Sequence, residues 1–342
     1  MRAARFEGSP GVRAVETLVP EIGPGEALVR VNRVGICGSD LHITSGKNPR
    51  VKAPVIPGHE IVGQIAELAE TGETPFHFQT GDRVAIFPVD SCMRCPSCLA
   101  GEYQLCRSLR IIGAQRDGGY AEYVAVPVRN LVPLPEDLAW DRAVLVEPLA
   151  VAVHAVRMSR PETGDAAVVI GAGPIGMLVA QVARHTGCSP LIMSEVSKTR
   201  IELAGTLGFE CLDGSAPDFV ERVLARTEDQ GAERVFECVG HPATLEHIIR
   251  IGRTRARIVI VGVFKEPAPL DLFALSKKEQ NLTATWMYSF DDFKRAVRLL
   301  SEEAVHTDGL VSHVLPLKDA QHGLDLVRGA AGSMKVVLKI ED

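Results

Sequence analysis

The sequence predicts an α/β protein with a β-rich first part and a doubly wound parallel sheet in the second. Three observations carry this. Before about residue 150, apolar and polar residues alternate in short segments between Gly, Pro and Asp turns, as antiparallel strands do. After Leu149, apolar runs of strand length alternate with segments of helical period, the βαβ pattern. Between the first of those runs and the next helix lies a glycine turn, "GAGPIG".

In chain order, "EALVRVNRVGI", "HEIVGQIAEL" and "DRVAIFP" read as strands of the first part. "LAVAVHAVRMS" has helical period, and "DAAVVIGAGPIGMLVAQVARHTG" is a buried strand, a turn and a helix. "PLIMSEV" follows as a strand and "KTRIELAGTLG" as a helix ending at Gly208. "RVFECVG" and "ARIVIVGVF" are two more strands with a helix between them. After about Trp286 come a helix, "FDDFKRAVRLL", and a strand, "MKVVLKIE", expected to fold back onto the first part. The expected divisions are 1–150, 151–285 and 286–342.

With 46% hydrophobic and 23% charged residues, the composition is that of a globular enzyme. A net charge of −6 and scattered Lys and Arg leave no electrostatic footprint for nucleic acid or an anionic membrane. No apolar run reaches the length of a membrane span. The start "MRAARFEGSP" lacks the apolar core of a signal peptide, so a cytoplasmic location is expected. Eight cysteines in a reducing compartment point to metal ligands or buried thiols rather than disulfides.

"GAGPIG" fits G-x-G-x-x-G, a weak motif alone, but here it follows a strand and opens a helix. Gly171 suits the tight turn, Gly173 the approach of a pyrophosphate, and Gly176 close helix–strand packing. Pro174 begins the helix, whose N-terminus attracts phosphate. Glu195 ends the next strand, where a carboxylate accepts hydrogen bonds from ribose hydroxyls and repels a 2′-phosphate. No arginine directly adjoins it, so NAD is favoured over NADP.

"CMRCPSCLAGEYQLC" places Cys92, Cys95, Cys98 and Cys106 in one short loop. Four thiolates close a tetrahedron around zinc and leave no position for substrate, so this is expected to be a structural site. An iron–sulfur cluster is the competing reading, weakened by the absence of a partner motif. A second site is suggested by Cys37 in "GICGSDLH" and His59 in "PGHE". A catalytic zinc needs three protein ligands and one exchangeable position. The remaining cysteines, Cys188, Cys211 and Cys238, fall in the nucleotide-binding pattern. The third ligand is then a carboxylate or water: Glu60 beside His59, or Glu147, placed at the expected domain junction. Ser39 and His42 are candidates to relay the alcohol proton, and Asp40 to orient His59. Zinc lowers the pKa of an alcohol, and hydride passes to the nicotinamide.

"GICGSDLH", "PGHE", the four-cysteine loop, "DGGYAEY", "VEPLAVA", "GAGPIG" and "VGVF" occur in the order found in the zinc-dependent medium-chain dehydrogenases, which the chain resembles over essentially its whole length. The resemblance implies a GroES-like β-rich catalytic domain, a Rossmann domain, and dimers or tetramers joined through the Rossmann sheets. It implies that Ile175, Glu195 and Arg200 line the adenosine half of the NAD site, and that Val261, Gly262 and Val263 approach the nicotinamide through their backbone. The Cys–His–Glu pattern resembles the polyol branch, and "IIGAQRDGGYAEYVAVPVRNLVPLP" is similar to dehydrogenases of hexonates such as galactonate or gulonate. L-threonine 3-dehydrogenase and butanediol dehydrogenase are the alternatives within that branch, and a non-catalytic NAD-binding relative is a further one. Two departures stand out. Met93 occupies a position that is glycine in many relatives, and should alter loop shape more than metal binding. Met287 and Tyr288 stand where sorbitol dehydrogenases carry Arg–Tyr, which weakens the case for sorbitol itself.

Overall fold

A computed structural model describes residues 1–69, 76–329 and 332–340. The chain divides into two compact units. The first comprises Met1–Glu147, Ser289–Glu302 and Thr307–Asp342, and the second Pro148–Tyr288 and Glu303–His306. Gln181 accounts for the short return to the second unit. Its Nε2 donates to His306 O at 3.0 Å and its Oε1 accepts from His306 N at 2.7 Å.

The first unit is built on a seven-stranded sheet. Val311–Pro316, Lys335–Lys339, Glu26–Ile36, Glu60–Leu68, Arg83–Ile86 and Leu131–Pro133 lie in that order, and Tyr123–Pro127 also pairs with Glu26–Ile36. Val311–Pro316 runs parallel to Lys335–Lys339, and the other pairs are antiparallel. The alternation expected for these strands is only partial. All four residues of Arg83–Ile86 are buried, as is most of Glu26–Ile36. Both sheet faces are covered, so Val29, Val31, Val34, Ile61, Ile65 and Ile86 share one core with Tyr120. Each such aliphatic side chain contributes about 2 kcal/mol on burial.

The second unit carries six parallel strands in the order Glu210–Asp213, Leu191–Glu195, Ala167–Ile170, Ala232–Glu237, Gly252–Ile260, Asn281–Ala284. The order reverses beside the first strand, and ligands of such sheets bind at that switch point. The strand predicted through "VGVF" stops at Ile260. Val261 N and Gly262 N turn instead to Glu237 O, at 2.8 and 2.9 Å. No helix among the described residues is long and apolar enough to cross a membrane.

Candidate metal centres and dinucleotide site

The four cysteines of the loop 92–106 converge, with their sulfurs within 4.8 Å of one another. Cys92 Sγ lies 3.9 Å and Cys95 Sγ 3.5 Å from Cys98 Sγ. Zinc–sulfur bonds of about 2.3 Å at tetrahedral angles require edges of about 3.8 Å, so the loop is already shaped for that ion. Cys92 N and Ser108 N point at Cys106 Sγ, at 3.3 and 3.4 Å. Backbone N–H groups of Arg107 and Cys98 bring the Cys95 thiol down to about 6, while burial pushes Cys98 up to about 11. Four sulfurs so close share few negative charges without a cation between them, and a divalent ion removes that conflict. Met93 sits at φ 59°, in the left-handed region that glycine adopts freely. Its thioether accepts a hydrogen bond from Ser91 Oγ at 3.1 Å.

The second cluster forms where three neighbouring strands meet. Glu26–Ile36 delivers Cys37 just past its end, and Glu60–Leu68 begins with Glu60, directly after His59. Pairing of Gly35 with Glu60 sets these ends side by side. A Cβ on Gly35 would overlap Glu60 Oε2, so glycine here makes room for the carboxylate. Ligand atoms of Cys37, His59 and Glu60 lie within 4.8 Å of one another. Glu147 falls outside this cluster, buried in the first turn of the helix Val146–Ser159.

Asp40 organises the cluster from beneath. It is fully buried, with Oδ2 accepting from Cys37 N at 2.9 Å and from Tyr120 Oη at 3.0 Å. Its Oδ1 stands 3.2 Å from His59 Nδ1, an ionic contact rather than an aligned hydrogen bond. Burial opposes a charge on His59, but Asp40 and then Cys37 raise its pKa well above the ordinary range. The surroundings therefore favour a cation. Ser39 Oγ is 3.4 Å from His59 Nε2. Ser39 and His42 are exposed, whereas Asp40 between them is buried.

Lys335, which sequence reasoning passed over, enters from the adjacent strand. Its Nζ meets Glu60 Oε1 at 2.6 Å, with the two side chains 5% and 1% exposed. Glu60 Oε2 is left buried without a hydrogen-bond partner. A buried carboxylate with one oxygen unpartnered, and with a ligand oxygen within 4.8 Å of the Cys37 and His59 ligand atoms, fits a metal ligand. The available signal was a lysine opening the apolar run "KVVL", Lys335. Tyr120 was visible only as part of "DGGYAEY".

In the second unit, the helix Pro174–His185 starts after Gly173, with Pro174 in its first turn. Gly171 has φ 97°, and a Cβ on Gly176 would overlap Gly171 O. The turn therefore needs glycine at both ends. Ile175 is half-buried in the first helical turn. Glu195 Oε2 accepts from Ala172 N at 3.0 Å, and Oε1 from Val196 N and Ser197 N at 2.8 and 3.1 Å. Oε2, with a single donor, keeps acceptor capacity. Arg200, expected with Glu195 at the adenosine half of the site, does come close to it although not adjacent in the chain: its Nη1 lies 3.8 Å from Glu195 Oε2. A positive charge does stand beside Glu195, and that carboxylate partly neutralises it. Just past the strand Gly252–Ile260, Val261 is half-buried and Val263 exposed.

Two family models match the chain. The alcohol dehydrogenase GroES-like domain covers residues 23–136, and the zinc-binding dehydrogenase model covers 174–302. The chain is 35% identical to a 2-dehydro-3-deoxy-L-galactonate 5-dehydrogenase of Pseudoalteromonas atlantica, over 99% of this chain and 98% of that protein. It is 31% identical to an L-galactonate-5-dehydrogenase of Escherichia coli, over 91% and 93%. A solved structure from Sinorhizobium meliloti, described as a zinc-binding dehydrogenase bound to NADP, superposes with a TM-score of 0.92 at 32% identity, over 99% of both chains. With both family models in place along a chain that is matched nearly end to end, this protein belongs to the zinc-dependent medium-chain dehydrogenases, in their polyol branch.

Proposed function

We propose that the chain oxidises a secondary alcohol of a hexonate to the ketone with NAD as hydride acceptor, and catalyses the reverse reaction. The observation that carries the site assignment is the convergence of Cys37, His59 and Glu60, whose carboxylate keeps one oxygen unpartnered. These three are the proposed ligands of a catalytic zinc, with Glu147 as a nearby carboxylate able to compete for the same ion. Zinc bound there supplies Lewis acidity that makes the alcohol more acidic. Asp40 orients His59 and fixes the Cys37 backbone, and Lys335 tethers Glu60. Ser39 receives the alcohol proton and passes it towards exposed His42 and solvent. Cys92, Cys95, Cys98 and Cys106 hold a second, structural zinc.

Gly171, Gly173, Pro174, Ile175 and Gly176 form the pyrophosphate turn, and Glu195 and Arg200 border the adenosine ribose. The NADP-bound relative and Arg200 keep NADP in view, but a 2′-phosphate would have to approach the Glu195 carboxylate. Val261, Gly262 and Val263 receive the nicotinamide end. A cytoplasmic homodimer or homotetramer is proposed, joined through the edge strand Asn281–Ala284, near which Leu272, Phe273 and Trp286 are exposed. Hexonate as substrate draws support from the galactonate dehydrogenases among the relatives.

Formation of reduced cofactor by zinc-loaded protein should be followed with hexonates, sugar alcohols, 2,3-butanediol and L-threonine, each with NAD and NADP. The expected outcome is strongest turnover with a hexonate and NAD. Turnover confined to L-threonine or butanediol would overturn the substrate assignment, and preference for NADP would overturn the role given to Glu195.

A further inference from the structure

The strands Ala232–Glu237 and Gly252–Ile260 end beside each other, with Glu237 paired to Ile260. Glu237 is fully buried, and among the described residues no Lys or Arg forms an ion pair with it. Its charge is met by the loop that follows. Oε1 accepts from Val239 N, Gly240 N and Thr244 Oγ1, at 3.0, 2.9 and 2.9 Å, and Oε2 accepts from Gly240 N at 3.1 Å. The carbonyl of the same residue accepts from Val261 N and Gly262 N. One residue thus fastens the loops leaving two adjacent strands.

Those loops touch backbone to backbone. A Cβ on Gly240 would lie 2.6 Å from Val263 O, and one on Gly262 would lie 2.6 Å from Glu237 Oε2. The pair presents two apolar side chains, Val239 at 50% and Val263 at 67% exposure. Val239 also abuts the glycine turn, since its Cγ2 would be 2.7 Å from a Cβ on Gly171. Two exposed valines at the carboxyl ends of neighbouring strands, next to a phosphate-type turn, suit the flat face of an aromatic ring.

We propose that Glu237 is a positioning residue for the nicotinamide end of the cofactor: it holds the Val239–Gly240 and Val261–Val263 loops together so that Val239 and Val263 receive the ring. This rests on the assignment of Gly171–Gly176 as the dinucleotide turn. In Glu237→Gln, an amide N–H₂ would face Gly240 N–H, donor against donor, at nearly unchanged volume.

Binding of NAD and of ADP-ribose, which lacks the nicotinamide, should be measured by calorimetry for wild type, Glu237→Gln and Thr244→Val. Glu237→Gln is expected to weaken NAD about tenfold and leave ADP-ribose within about twofold. Thr244→Val, which removes one donor and keeps the carboxylate, should act in the same direction by about threefold. It decides the question alone if Glu237→Gln does not fold. Equal weakening of both ligands, or no change in either, overturns the proposal. Wild-type protein that binds neither ligand overturns the dinucleotide assignment itself, and the proposal with it.

Discussion

Cys92, Cys95, Cys98 and Cys106 lie on one loop of fifteen residues, whereas Cys37, His59 and Glu60 come from the ends of two paired strands. The second group is completed by Lys335, 275 residues along the chain from Glu60. The first group offers four identical donors and needs nothing from elsewhere in the fold. The second mixes a thiol, an imidazole and a carboxylate, and sets its charges with buried Asp40 and Lys335. A local set of thiolates saturates a tetrahedral ion and stabilises the loop that holds it. A set gathered from distant strands leaves a position open, and its geometry is supported by the whole sheet.

Four substitutions test this contrast. Cys37→Ala should lower turnover about a thousandfold or more while one zinc per chain remains, as metal analysis and kcat would register. Loss of both zincs would break the proposed independence of the two sites. Lys335→Met leaves the buried Glu60 carboxylate without its counter-charge. The metal-free protein should lose about 3 kcal/mol, and zinc should restore part of it, as denaturant melts with and without the ion would reveal. If zinc restored nothing, Glu60 would not be a ligand. Cys98→Ser should remove the loop's zinc and lower stability by roughly 3 kcal/mol. The loop should then become a protease target while zinc at Cys37 persists. Unchanged proteolysis would mean that the loop holds itself without metal. The smallest effect belongs to Met93→Gly, which relieves a left-handed methionine at φ 59°. It should stabilise the loop by about 1 kcal/mol and slow zinc loss to a chelator. Faster loss would show that the Ser91–Met93 contact matters more than the backbone.

Local features of the chain were legible in advance. The four-cysteine spacing, the glycine turn with Glu195 at the next strand end, and the strands Glu26–Ile36 and Glu60–Leu68 depend on residues close in sequence. What escaped depended on pairing between distant segments. The third metal ligand was left open between Glu60 and Glu147, because adjacency to His59 does not say where a side chain points. The fold brings Glu60 to Cys37 and His59 through its register with Gly35. Arg200 was placed with Glu195 at the adenosine half of the cofactor site, but the cofactor preference was argued from adjacency alone, and the four residues between them hide that the guanidinium comes within 3.8 Å of the carboxylate. Glu237 looked like one polar residue in "RVFECVG", and no local pattern reveals that five hydrogen-bond donors are shared between its carboxylate and carbonyl.

Residue types and short spacings suffice to state which donors this chain owns, which turns only glycine can make, and that strands and helices alternate after Leu149, because hydrogen-bonding capacity and backbone freedom are properties of single residues and near neighbours. They could not decide that Glu60 Oε1 would meet Lys335 while Oε2 stayed unpartnered, or that this carboxylate would gather with Cys37 and His59. Burial of those charges is favourable only when strands far apart in the chain meet in one register, and that register is a property of the assembled sheet.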